Sequence, residues 1–191
     1  MYTTILRTYS RNCYCILGTN RKNLGVEYLI KQYLQTEKTE PMYLDMYRQT
    51  VQAMRKHLLA KSHPNELTFF GELLNGVSGT IHPKMDHLVC FIGGSFALGA
   101  TQGLTLNEAP LMTDRDREDL QLGKEITRTC YEMYNSTATG LASEIVYFNT
   151  EAHEGDNDLY IQRRDTHCLL RPETLESLFL LWRITKEPIY R

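Results

Sequence analysis

The chain has 191 residues and a formal net charge of −2, from 21 Lys and Arg against 23 Asp and Glu, and 42% of its residues are apolar. That length suits a single domain with a sizeable core. The apolar fraction excludes a disordered chain, and the balanced charge lacks the basic stripe of a nucleic-acid binder. No apolar run reaches the roughly 18 residues needed to span a bilayer. Residues 1–20, with Arg7 and Arg11 among alternating polar and apolar positions, show no signal-peptide core. The cysteines are Cys13, Cys15, Cys90, Cys130 and Cys168, too few for a disulfide scaffold and without zinc spacing.

Glu27-Tyr-Leu-Ile-Lys-Gln-Tyr-Leu34 reads as a short helix of good formers. Tyr43, Tyr47, Val51, Met54 and Leu58 form the apolar stripe of an amphipathic helix from about 42 to 60, ended by His63-Pro64. Leu67-Thr-Phe-Phe70 and Val77-Ser-Gly-Thr-Ile81 flank an Asn75-Gly76 pair, which predicts a β-hairpin. Residues 85–99 are nearly all apolar and predict one buried helix, with Gly93-Gly94 costing about 1 kcal/mol each relative to Ala. Thr113-Asp114 is placed to cap a helix running to about 138, with Leu122, Ile126, Cys130 and Met133 on one face. Glu144-Ile-Val-Tyr-Phe148 and Leu159-Tyr-Ile161 are strand-like. Pro172 then opens a last helix, whose Leu175, Leu178, Phe179 and Trp182 predict the buried stripe. Five or six helices with two minor β elements point to an all-α architecture.

Arg171-Pro-Glu-Thr-Leu-Glu-Ser177 carries the clearest chemistry. Glu173 and Glu176, three apart, share one helical face, where paired carboxylates serve acid–base chemistry or complement the helix dipole. His87 stands at the entrance of the apolar stretch, where it contacts a ligand or satisfies a structural hydrogen bond. Cys90 and Cys130 lie on apolar faces, where free thiols are commonly buried. Asn135-Ser-Thr137 is an N-glycosylation triplet.

Three long segments, in order, resemble the class I α-1,2-mannosidases, glycoside hydrolase family 47. They are Lys84-Met-Asp-His-Leu-Val-Cys-Phe-Ile-Gly-Gly-Ser-Phe-Ala-Leu-Gly99, Gly140-Leu-Ala-Ser-Glu-Ile-Val-Tyr-Phe148 and Asp165-Thr-His-Cys-Leu-Leu-Arg-Pro-Glu-Thr-Leu-Glu-Ser-Leu-Phe-Leu-Leu-Trp-Arg183. The resemblance implies an all-α fold, an incomplete (α/α)7 barrel of helical hairpins with small β-hairpin excursions. It divides the chain into an N-terminal segment, 1–20, and part of a catalytic domain, 21–191. It implies calcium-dependent, inverting removal of α-1,2-linked mannose from high-mannose N-glycans in the endoplasmic reticulum or Golgi lumen. Glu173 resembles the general base. Arg171, Glu176, His87, Glu144 and Arg21 resemble substrate-binding residues, and Cys90 with Cys130 resembles the family disulfide.

The chain also departs from that pattern. Arg21-Lys-Asn-Leu-Gly-Val26 precedes Glu27-Tyr-Leu29, and Asn23 falls where the family has a catalytic Asp. The part carrying the proposed general acid is absent, and the calcium-ligating Thr falls beyond Arg191, so no residue of this chain is expected to hold the metal. Phe148-Asn-Thr-Glu-Ala-His153 matches the text around that Thr but comes before the Arg-Pro-Glu segment. The expectations are a fragment of a mannosidase, inactive as it stands, whose unpartnered edge helices expose apolar faces. The alternatives are a catalytically dead glycan- or glycoprotein-binding relative of the degradation-enhancing type, and a plain helical scaffold.

Overall fold

The computed structural model of the chain describes residues 24–74, 79–109 and 111–191. Arg21, Asn23, Cys13, Cys15 and the Asn75-Gly76 turn lie outside the described residues. Among the described residues five α-helices carry the fold: α1 (Leu24–Gln35), α2 (Pro41–His57), α3 (Ile92–Thr101), α4 (Asp114–Asn135) and α5 (Glu173–Thr185). Their starts follow local chemistry. Pro41 opens α2, where a missing N–H costs nothing. A capping box opens α4, in which the Thr113 hydroxyl accepts from the Asp116 N–H and the Asp116 carboxylate accepts from the Thr113 N–H. The expected inner faces of α2 and α4 are buried at Tyr47, Val51 and Met54 and at Leu122, Ile126, Cys130 and Met133.

Seven short strands are described, against two minor β elements expected. β1 (Leu59–Lys61) pairs antiparallel with β2 (Thr68–Phe70), and β3 (Glu72–Leu73) with β4 (Ile81–His82). The predicted hairpin is thus corrected. The 67–70 run turns back onto the end of α2, which stops at His57 rather than near 60, and 72–73 takes its place opposite 81–82. β5 (Lys84–Asp86), β6 (Ile145–Phe148) and β7 (Leu159–Tyr160) form one antiparallel sheet in the order β5-β6-β7. Strands of two to four residues are too short for alternation to register as a pattern.

The single buried helix expected over 85–99 is three pieces: β5, a 3-10 turn at His87–Phe91, then α3. Its two glycines are a packing requirement. A Cβ on Gly93 would fall 2.9 Å from the Gly123 carbonyl oxygen of α4, and one on Gly94 would fall 3.1 Å from the Cα of Ser177 on α5. Helices α4 and α5 therefore close directly on the backbone of α3, and that contact outweighs the propensity cost. Phe69 of β2 stacks on Phe148 of β6 at 4.0 Å between ring centroids, and Phe70 meets Phe96 of α3 edge-on at 6.0 Å. The sheets and helices α1 to α4 thus share one core, while Leu181 and Ile184 of α5 pack with Ala97, Ala100 and Leu120 in a second, smaller cluster.

The last helix also reverses its expected orientation. Thr174, Ser177, Leu181 and Ile184 are buried, while Leu175 and Phe179 of the predicted stripe are 66% and 60% exposed. The apolar outer face of α5 matches the expectation that an edge helix exposes such a face. Among the described residues no helix is long and apolar enough to cross a membrane.

Candidate active site

The register of β5 on β6 assembles the site. Asp86 pairs with Ile145, so the next residue on one strand, His87, meets the preceding residue on the other, Glu144. The His87 N–H donates to the Glu144 carbonyl at 2.9 Å, joining residues far apart in sequence. The Glu144 carboxylate then reaches the approach to α5. It accepts from the Leu169 N–H at 3.1 Å and from Nε of Arg171. That hydrogen bond holds the guanidinium pKa above its ordinary range.

Glu173, the first residue of α5, faces the same group. Its Oε2 lies 3.5 Å from Nδ1 of His87, with side chains 15% and 3% exposed. Both atoms are buried without a hydrogen-bond partner. The far side of the imidazole is held from two helices. Nε2 lies 2.7 Å from the Tyr134 hydroxyl of α4 and 3.2 Å from the Thr174 hydroxyl of α5. The Tyr134 ring packs edge-on against the imidazole at 5.5 Å. A hydroxyl donating to Nε2 puts the proton of the neutral ring on Nδ1, where it faces the Glu173 carboxylate. Burial keeps His87 neutral by lowering its pKa, against the opposing pull of Glu173 and Glu144.

Helix α5 is held in place one turn further on. The Ser177 hydroxyl accepts from the Gly94 N–H at 2.8 Å and donates to the Cys90 carbonyl at 2.5 Å. Cys90 is disulfide-bonded to Cys130 of α4 with the Cα atoms 5.8 Å apart, so the expected pairing is present. Cys168 is free. Glu176 is engaged by Lys31 of α1, whose ammonium also binds Glu27. Burial disfavours that ammonium, but the hydrogen bonds to Glu176 and Glu27 prevail and its pKa is raised.

Glu173, His87, Arg171 and Glu144 are therefore brought together, and Glu176 lies one turn along α5. Arg21 is outside the described residues. Tyr134, Thr174, Lys31 and Glu27 were not singled out from sequence. Tyr134 is four residues beyond Cys130 on the inner face of α4, and that spacing was the available signal. A cavity of about 600 Å³ lined by Lys124, Arg128, Tyr131, Leu178 and Tyr190 includes none of these site residues.

A family model, glycosyl hydrolase family 47, matches residues 23–191. The chain belongs to glycosyl hydrolase family 47. It is 53% identical over 169 residues to a mannosyl-oligosaccharide 1,2-alpha-mannosidase of Candida albicans, covering 86% of this chain and 30% of that protein. It is 43% identical over 178 residues to the endoplasmic reticulum mannosyl-oligosaccharide 1,2-alpha-mannosidase of Saccharomyces cerevisiae, covering 86% of this chain and 32% of that one. The chain thus spans about a third of the length of these relatives. Its fold matches an alpha-1,2-mannosidase from Trichoderma reesei with a TM-score of 0.69 at 24% identity, over 86% of this chain and 34% of that structure. This agrees with an incomplete helical barrel.

The calcium ion that the resemblance implies finds no ligand set here. Among the described residues no group of three or more His, Cys, Asp and Glu gathers to hold a metal. Glu27 and Glu176 are engaged by Lys31, and Glu144 by Arg171. No step below passes through that ion.

Proposed function

We propose that this chain supplies the base-bearing part of a mannosyl-oligosaccharide α-1,2-mannosidase of the endoplasmic reticulum or Golgi lumen, with residues 21–191 as part of its catalytic domain. Its substrates are high-mannose N-glycans. The observation that carries this reading is the free, buried Oε2 of Glu173 facing His87 beside the Arg171–Glu144 pair. Burying a carboxylate oxygen without a partner is costly, and functional sites are where such costs are tolerated.

In an inverting hydrolysis one carboxylic acid protonates the leaving oxygen while a carboxylate on the opposite face activates water. Glu173 Oε2 takes the second role: its lone pairs accept the proton as the water oxygen attacks the anomeric carbon. That oxygen faces Nδ1 of His87 at 3.5 Å, and Tyr134 and Thr174 hold the far side of the ring. Arg171, held by Glu144, offers its remaining N–H groups to sugar hydroxyls. The leaving-oxygen acid is not among these residues, so the 191-residue chain binds the glycan without releasing mannose. Calcium dependence belongs to the same reading of the whole enzyme.

Titration of the chain with a high-mannose N-glycan tests this, alongside an assay for released mannose. Binding is expected, with no turnover. Loss of the charged contact in Arg171→Ala is expected to weaken binding about tenfold or more. No binding by the chain, or binding by Arg171→Ala as tight as by the unaltered chain, contradicts the assignment. Asn23, at the position of the family's catalytic Asp, favours a second reading: a glycan- or glycoprotein-binding relative without activity. Restored turnover on Asn23→Asp together with the rest of a family catalytic domain separates the two.

A further inference from the structure

Asn135-Ser136-Thr137 is the single Asn-x-Ser/Thr triplet of the sequence, and the site described above makes no use of it. Its setting joins three independent observations. The first is exposure. Asn135 ends α4, and residues 135–141 are exposed throughout except for a half-buried Thr137. Gly140, at φ +68°, opens onto empty space. The second is the side chain itself. The Asn135 amide donates one N–H to Glu132 at 2.9 Å. A primary amide has two N–H groups, so attaching a sugar at Nδ2 leaves that hydrogen bond available. The third is redox setting. Cys130, five residues earlier on the same helix, is bonded to Cys90, and disulfides persist in the oxidising compartments where N-glycosylation occurs.

We infer that Asn135 is an N-glycosylated residue carried on the exposed turn between α4 and β6. An oligosaccharyltransferase moves an oligosaccharide from a polyisoprenyl pyrophosphate donor. The Asn135 Nδ2–C1 bond forms as the C1–O bond to pyrophosphate breaks, the lipid pyrophosphate leaves, and one amide proton is lost. In the folded chain the Thr137 hydroxyl is engaged with the Tyr134 and Leu141 carbonyls, closing the turn. Transfer therefore precedes closure of the turn, and the folded surface then accommodates the product. The turn links Tyr134 to Glu144 along the chain, and Ser136 beside the acceptor borders a cavity lined by Asn65, Arg128, Glu132 and Asp158. This inference does not depend on the proposed activity.

The test is expression of the full 191-residue chain in a yeast secretory pathway, behind a cleavable leader that has no acceptor triplet of its own. Readouts are gel mobility with and without endoglycosidase H, and mass spectrometry of the Asn135 peptide. The chain and Thr137→Ser are expected to gain one glycan that the endoglycosidase removes. Asn135→Gln and Thr137→Ala are expected to gain none. Because transfer occurs before folding, these readouts do not require the variants to fold. Non-reducing gels are expected to show the Cys90–Cys130 bond in the glycosylated species. Equal mobility of the chain and Asn135→Gln under both treatments overturns the inference, as does a glycan found only on chains lacking that bond.

Discussion

The inner and outer faces of α5 reverse the order that hydropathy suggests. The inner face is buried at Thr174, Ser177, Leu181 and Ile184, two of them hydroxyl residues, while the outer face exposes Leu175 and Phe179. Close approach explains the difference. Helix α5 lies on the backbone of α3 at Gly94, so only a small residue fits there. The Ser177 hydroxyl meets the Gly94 N–H and Cys90 carbonyl that a larger apolar residue would leave unpaired. The same seating presents Glu173 and Thr174 to His87. An apolar stripe identifies a face suited to being covered; the closeness of the neighbouring backbone decides which face is covered here.

Substitutions on the two faces sharpen this contrast. Leu181→Ala is expected to cost about 2–5 kcal/mol, the range for a buried Leu. Leu175→Ala is expected to stay within about 0.5 kcal/mol, as for exposed positions. Denaturant unfolding of both reads the difference, and equal losses would show the outer face to be covered. Ser177→Ala comes next. It leaves the buried Gly94 N–H without its acceptor and is expected to cost about 1–3 kcal/mol in the same measurement.

The pH dependence is smaller and has a defined sign. Burial lowers the His87 pKa below the ordinary 6.5, against the pull of Glu173. As pH falls below that value the unfolded chain takes up the proton first, so stability is full above it and declines beneath it. His87→Gln is expected to flatten that part of a melting-temperature profile, and an unchanged profile would remove His87 as its cause. Lys31→Met is expected to have the smallest effect. Lys31 and Glu176 are each about a third exposed, and such pairs contribute up to about 1 kcal/mol. Thermal unfolding measures it.

The helices with internal signals were legible in sequence. Pro41, the Thr113-Asp116 box and the 3.6-residue stripes of α2 and α4 mark their elements locally. The short strands were less so, because β5 and β6 are defined by pairing across 58 intervening residues rather than by their own pattern. Division of the 85–99 run into strand, turn and helix likewise follows from that pairing and from Gly93 meeting Gly123. The site was legible through the family resemblance for Glu173, His87, Arg171 and Glu144. Tyr134 and Lys31 were not, since an aromatic on a buried stripe and a Glu-Lys pair four apart read first as packing and as a surface ion pair.

The most direct measurement is ¹⁵N NMR of the His87 imidazole during titration with α-1,2-linked mannobiose, with the Leu175 methyl groups observed in parallel. The account predicts a neutral ring with its proton on Nδ1 before sugar is added, a shift of the ring nitrogens on binding, and no change at Leu175. A ring protonated on Nε2, or sugar-induced shifts confined to Leu175, would contradict it.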